Sequence, residues 1–352
     1  MIHFDTNVYV RNMEAIVERE FDYRSVGAEG DWNEWQRRFR ARLWEATGLA
    51  HIDRVNADVP LSPETVERLS FPGYVREKSY VQTEAGIRIP FYLLLPSNGQ
   101  EPYPLVLAVH GHGRRGKEVY VGHFEDEQER QESLEGERDI ALQAVAEGYA
   151  AIAMDVRGFW EMARADEVEA KKNNSCAELQ KHAMMYGRTL IGERVHDMRR
   201  LIAYAGTRPE IDTSRIVITG NSGGGQVSLF TAALDERISV CVPGSFFSTF
   251  RGSLLEQSVW HCMCNFVPGM LRLGEMYDVA GLIAPRPLLC VNGERDAIFP
   301  IDSAREAIGH VQRIYAAMGA PDRCRLYVGH GGHRYYKEPV WPFVKTSLRL
   351  LD

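Results

Sequence analysis

The segment from Arg215 to Gln226 constrains this chain more than any other. Arg215-Ile216-Val217-Ile218-Thr219 reads as a buried β-branched strand that breaks at Gly220 and restarts as a helix after Asn221-Ser222-Gly223-Gly224-Gly225. Gly220-x-Ser222-x-Gly224 fits the nucleophile-elbow pattern, in which a sharp strand-to-helix turn lifts a serine hydroxyl above a sheet. Such a turn holds the serine in a strained backbone conformation and demands glycine where the chain crowds itself. The helix that follows begins with unpaired N–H groups able to meet a developing oxyanion.

A serine hydroxyl needs a base, and the base needs an orienting acid. In this arrangement they follow in the order serine, acid, histidine. Asp296 lies just beyond the apolar strand Leu288 to Val291 and is the expected acid, with Glu294 and Asp302 as lesser candidates. After the last strand comes Gly329-His330-Gly331-Gly332-His333; His333, deeper in the loop, is the expected base, and His330 is assigned a structural part. The expected oxyanion donors are the backbone N–H groups of Gly223 and His112, with Gly113 as the neighbouring alternative to His112. His110 is expected to hold that loop structurally.

Strands alternate with helices across the rest of the chain, and the inner strands are apolar throughout. That pattern predicts an α/β fold, a mostly parallel twisted sheet covered on both faces, with functional residues beyond the carboxyl ends of its strands. Residues 1–72 are expected to form a helical N-terminal extension packed on the core by Trp32, Trp35, Phe39, Leu43 and Trp44, including a short helix from Pro63 to Leu69. Residues 73–352 are expected to form the catalytic domain. They open with a hairpin of Val75–Thr83 and Ile87–Leu95 and carry two insertions, 159–187 and 246–281, that wall the pocket. The second insertion is rich in aromatics: Phe246, Phe247, Phe250, Trp260 and Phe266.

Four stretches together resemble the α/β-hydrolase superfamily, in its acetyl xylan esterase and dienelactone-hydrolase-like branch. They are His110-Gly111-His112-Gly113, Asp155-Val156-Arg157-Gly158, the Gly220 to Gly224 elbow, and Ala284-Pro285-Arg286-Pro287 leading to Asp296. The resemblance covers residues 80–352 and implies serine-dependent hydrolysis of short acyl esters without a cofactor. The favoured substrate is an acetylated sugar or oligosaccharide. Phe159 and Trp160, after the Asp-Val-Arg-Gly stretch, are expected to touch substrate; the bulky Trp160 stands where relatives often carry a small residue.

Three rivals have distinct signatures. A prolyl-oligopeptidase-like peptidase would need a propeller that the N-terminal residues cannot build, and a ligand-binding member of the fold would not react at Ser222. A metal-assisted hydrolase would use the cluster His261-Cys262-Met263-Cys264. That run offers just three ligands, and adjacent residues rarely all face one ion, so no metal is expected and the six cysteines are read as free thiols. A net charge of −7 argues against nucleic-acid binding. No run is long and apolar enough to span a membrane, and the N-terminus lacks a signal-peptide layout, so the expected location is the cytoplasm. The aromatic N-terminal helix could serve a homo-oligomer as readily as its own core.

Overall fold

The structure is a computed structural model describing residues 3–27, 30–172, 174–257 and 261–349. Among the described residues nine strands form one sheet: β1 (Glu64–Phe71), β2 (Tyr74–Glu84), β3 (Ile87–Pro96), β4 (Tyr103–Val109), β5 (Ala150–Met154), β6 (Ile211–Asn221), β7 (Ile238–Gly244), β8 (Leu288–Gly293) and β9 (Cys324–Gly329). Their spatial order is β1-β2-β3-β5-β4-β6-β7-β8-β9. From β5 to β9 every neighbouring pair is parallel, while β1, β2 and β3 pair antiparallel at one edge. The chain has the α/β-hydrolase fold.

Side-chain alternation along the inner strands builds two cores. On β4, Leu105, Leu107 and Val109 face one side, with α2 (Trp32–Ala46), α5 (Leu190–Ala205), α6 (Gly223–Leu234) and α7 (Ile301–Ala317). Val106 and Ala108 face the other side, with α4 (Ile140–Ala146) and α8 (Val340–Arg349). The N-terminal helices are α1 (Thr6–Ile16), α2 and α3 (Leu49–Val55). On α2, Trp35, Phe39 and Leu43 join the larger core, and Gln36 Nε2 donates to the Gly281 and Ala284 carbonyls at 2.8 Å each.

The expected helix at Pro63–Leu69 is a strand instead. Pro63 followed by Glu64 mimics the first turn of a helix, yet residues 64–71 run antiparallel to β2, from Glu64↔Tyr80 to Phe71↔Tyr74. The unpaired edge of β2 supplies the partners, and tertiary pairing overrides the local signal. The helical part of the N-terminal segment therefore stops at Val55. The hairpin expected at 75–95 is β2 and β3. Within 159–187 lie short helices at Ala165–Glu169 and Cys176–Met185; within 246–281 lie Met270–Leu273 and Met276–Gly281. Trp260 lies outside the described residues.

Candidate active site

The carboxyl ends of β4, β6, β8 and β9 bring the four predicted loops together. Ser222 occupies the turn between β6 and α6 with φ 59° and ψ −118°, the left-handed strain that an elbow imposes. Its own N–H donates to the Gly244 carbonyl at 2.7 Å, pinning the turn to β7. The glycines are explained by crowding: a Cβ at Gly220 would stand 2.1 Å, and one at Gly224 1.9 Å, from the Val109 carbonyl oxygen. Only glycine lets α6 start this close to β4.

His333 and Asp296 meet directly, His333 Nδ1 lying 2.7 Å from Asp296 Oδ2. Asp296 is buried, and its other oxygen accepts the N–H groups of Ile298 at 2.9 Å and Phe299 at 3.2 Å. One carboxylate thus caps its own turn and orients the imidazole. With Nδ1 donating to Asp296, Nε2 is left as an acceptor, the tautomer a general base requires. The ring stacks on Phe299 at 5.8 Å and remains part-exposed. Ser222 and His333 line the same cavity, of about 400 Å³. No hydrogen bond joins them among the described residues, a looseness common before substrate binds.

The other candidates fall away. His330, expected to be structural, is 98% exposed, its Nδ1 3.8 Å from Glu294. Asp302 is exposed and faces Arg305.

Of the backbone donors, the His112 and Gly223 N–H groups have no partner among the described residues, whereas Gly113 N–H donates to the Gly111 carbonyl at 2.8 Å. The local alternative, Gly113, is therefore engaged. His110 Nε2 accepts the Val156 N–H at 3.0 Å and its Nδ1 faces the Gly111 carbonyl at 2.8 Å. Burial pushes its pKa down to about 3, so it holds the loop as a neutral ring.

Phe159 and Trp160 do not line this cavity. Phe159 is buried behind it, edge-on to the His110 and His112 rings at 5.1 and 5.2 Å. Trp160 turns away beneath Arg115 and Arg114, at 5.3 and 5.8 Å from its ring. Both insertions do reach the cavity wall, through Asn174 and through His261, Cys262 and Asn265. Nothing in the local sequence marked Arg138 or Asn221, which also line it. Asn221 Oδ1 is buried without a partner, and Arg138 has no ion-pair partner among the described residues.

Behind the cavity lies a charged layer that the sequence reading did not anticipate, although Asp155 and Arg157 belong to a stretch that carries the family likeness. Lys117, fully buried, donates to Asp155 at 2.7 Å, Glu118 at 3.0 Å and Glu161 at 2.5 Å. Burial pushes Asp155 up to about 6, against the pull of the Lys117 charge. Arg157 makes two 2.8 Å bonds to Asp197 and a 2.6 Å contact with Glu84.

Comparison with known proteins adds to this geometry. The family profile described as the Abhydrolase family matches residues 2–328. "Putative hydrolase YtaP" of Bacillus subtilis (strain 168) is 25% identical over 280 residues, 78% of this chain and 87% of that protein. The 4-O-methyl-glucuronoyl methylesterase 1 of Wolfiporia cocos (strain MD-104) is 26% identical over 172 residues, 42% of each chain. Among solved structures, acetyl xylan esterase 1 from Thermoanaerobacterium sp. JW/SL YS485 superposes with a TM-score of 0.59 at 19% identity, over 92% of this chain and 94% of that one. At that identity the likeness is one of fold.

Proposed function

The chain belongs to the Abhydrolase family, and from that premise we propose that it is a serine carboxylic ester hydrolase acting on short-chain acyl esters of carbohydrates. The observation that carries the reading is the 2.7 Å His333–Asp296 bond at a cavity that also holds Ser222. Ser222 Oγ attacks the ester carbonyl while His333 Nε2 takes its proton. Asp296 stabilises the imidazolium and keeps its tautomer. The N–H groups of Gly223 and His112 bind the oxyanion. His333 then protonates the departing alcohol, and water attacks the acyl-enzyme with His333 again as base.

The sugar preference rests on the cavity wall and on the relatives. Arg138, Asn174, Asn221 and Asn265 give the cavity polar groups at several points, which suits a hydroxyl-rich leaving group. The 4-O-methyl-glucuronoyl methylesterase and the acetyl xylan esterase among these proteins are named for carbohydrate esters, which favours ester over peptide hydrolysis. A second reading, a methyl ester of a sugar acid, is favoured by Arg138, whose guanidinium, without an ion-pair partner among the described residues, would meet the carboxylate product.

The test is a panel of p-nitrophenyl esters of graded length, run with acetylated xylo-oligosaccharides and a methyl glucuronate ester. Acetate is expected to be preferred steeply, because a small cavity shared with the alcohol leaves little room for an acyl chain. A fluorophosphonate should label the protein, and Ser222→Ala should abolish both labelling and turnover. Labelling that persists in that variant, or efficient cleavage beyond about eight carbons, would overturn the proposal.

A further inference from the structure

Outside the reacting groups, one cluster of side chains has no part in the proposed reaction. His112, Cys176, Cys262 and Cys264 each present a ligand atom, and all four atoms lie within 4.8 Å of one another. His112 Nε2 is 3.3 Å from Cys264 Sγ. These residues come from three places: the loop after β4, the first turn of the helix Cys176–Met185, and the turn around Met263–Asn265. We propose that they form a closed four-coordinate site for zinc, a structural clasp joining the oxyanion loop to both insertions.

The donor set fits. Zinc bonds of about 2.3 Å to sulfur and about 2.0 Å to nitrogen at tetrahedral angles separate ligand atoms by roughly 3.3 to 3.8 Å. The four atoms need close by only about an ångström or less. Three thiolates with one imidazole select zinc over the oxygen-seeking cations. All four positions are filled by protein, so the ion has no place for a reacting water, which separates this site from a metal-assisted hydrolase. His261, which the sequence grouped with these cysteines, is elsewhere: its Nε2 is 2.9 Å from Ser253 Oγ.

The charge balance agrees with this donor set. Arg194 is 1% exposed; it donates to the Arg157 carbonyl at 2.7 Å and to Cys176 Sγ at 3.0 Å. No carboxylate pairs with it among the described residues. A buried guanidinium without an anion is costly. Three neutral thiols supply none, a single thiolate would supply one, and three bare thiolates would overcompensate in the same small volume unless a cation joins them. Zinc with three thiolates and one imidazole carries one net negative charge, and Arg194 cancels it. On binding, each remaining thiol proton leaves to solvent. Coordination through Nε2 leaves the His112 proton on Nδ1 and fixes the ring. That ring stands against Gly223, where a Cβ would come within 2.8 Å of Nδ1. The ion would thus hold the loop that carries one of the two N–H donors.

The experiment is elemental analysis and native mass spectrometry of the full chain, reduced, loaded with zinc and desalted. One zinc per chain is expected. Cys176→Ser and Cys264→Ser should each weaken zinc binding by more than the roughly 100-fold typical of outer-shell changes, while Cys241→Ser, a buried thiol outside the cluster, should keep the metal. Cobalt substitution of the unaltered protein is read as well, so that the test does not depend on a ligand variant folding: a thiolate-to-cobalt charge-transfer band and intense tetrahedral bands are expected. Failure to retain zinc under reducing conditions, octahedral cobalt bands, or a metal retained undiminished by both folded ligand variants would overturn the proposal. None of these readouts depends on ester turnover, so the site stands or falls apart from the proposed reaction.

Discussion

Replacing Gly111 by alanine isolates the geometry of the oxyanion loop. A Cβ at Gly111 would lie 2.5 Å from the Asn221 carbonyl oxygen and 3.1 Å from Ser222 Cβ, where ordinary contact begins at 3.4 Å. Relief requires the loop and the elbow to separate by roughly 1 Å, a displacement of the size that costs about 100-fold in rate when donors and nucleophile must converge. The His112 N–H is the next donor along the chain and moves with Gly111. Loss of one aimed donor costs about 100- to 1,000-fold in kcat. The expected result for Gly111→Ala is therefore a fall of about 100- to 1,000-fold in kcat on p-nitrophenyl acetate. KM should change little, and overpacking should cost about 1–3 kcal/mol of stability. Gly113→Ala is the control: a Cβ there meets nothing within 4 Å, its φ is not in the left-handed region, and its N–H is already engaged. It should keep activity within a few-fold. A folded Gly111→Ala enzyme with undiminished kcat would refute the reasoning, as would equal losses in the two variants.

Three further outcomes rest on the same structure. Asp296→Asn should lower kcat by about 1,000- to 10,000-fold with a smaller loss of thermal stability. The asparagine carbonyl can still accept from Ile298 and Phe299, but its amide faces His333 with the wrong polarity. Steady-state kinetics beside a thermal melt separates the two effects. Lys117→Met should destabilise by about 3–5 kcal/mol in urea unfolding, because it strands Asp155 and Glu118 in the interior. Burial pushes the Glu84 carboxyl up, but the Arg188 hydrogen bond and the Arg157 and Arg188 charges outweigh it and hold the pKa at about 2 against an ordinary 4.5. A depressed carboxylate contributes stability above its unfolded pKa and loses it as pH falls through the folded one. Acid unfolding should therefore steepen between pH 4.5 and 2, by a ceiling of about 3 kcal/mol that solvent screening reduces to roughly 1–2. Glu84→Gln should flatten the slope in that window.

Much of the fold could be read because the inner strands are apolar on both faces and each ends in a glycine-bearing loop. The elbow was legible for a local reason: Gly220 and Gly224 are forced by the Val109 carbonyl, so the pattern is written in adjacent positions. His333 was distinguishable from His330 by its depth in the loop, and the structure leaves His330 in solvent. The misread strand at Glu64–Phe71 has almost no buried side chain, so no hydrophobic period announced it; only the edge of β2 defines it. Phe159 and Trp160 were assigned to substrate by likeness alone. Their actual partners, the histidine rings and two arginines, come from the loop after β4 and could not be seen in their own neighbourhood. The thiol cluster was hidden for the same reason. His261-Cys262-Met263-Cys264 looked like a poor ligand run because two of the four converging ligand atoms lie far away in sequence.

The loop after β5 explains why the cavity can be rigid on one wall and variable on the others. Asp155 and Arg157, two residues apart, reach in different directions. Asp155 accepts the Lys117 N–H at 2.9 Å and holds its ammonium, fixing the loop after β4; Arg157 binds Asp197 on α5 and Glu84 at the end of β2. These ions are buried and mutually paired, so breaking any one leaves uncompensated charge, and the cost falls on the fold. The opposite wall is made by the insertions, whose short helices and turns contribute the half-buried Asn174 and His261 and the buried Asn265. The Asn174 side chain accepts from the Cys176 N–H and, at longer range, from the Cys262 thiol, and no side-chain hydrogen bond of Asn265 is present among the described residues. Substitutions at Asn174 or Asn265 should therefore alter which alcohol the enzyme releases while leaving its stability near that of the parent. Substitutions at Asp155 or Arg157 should cost stability before they reveal any change in specificity.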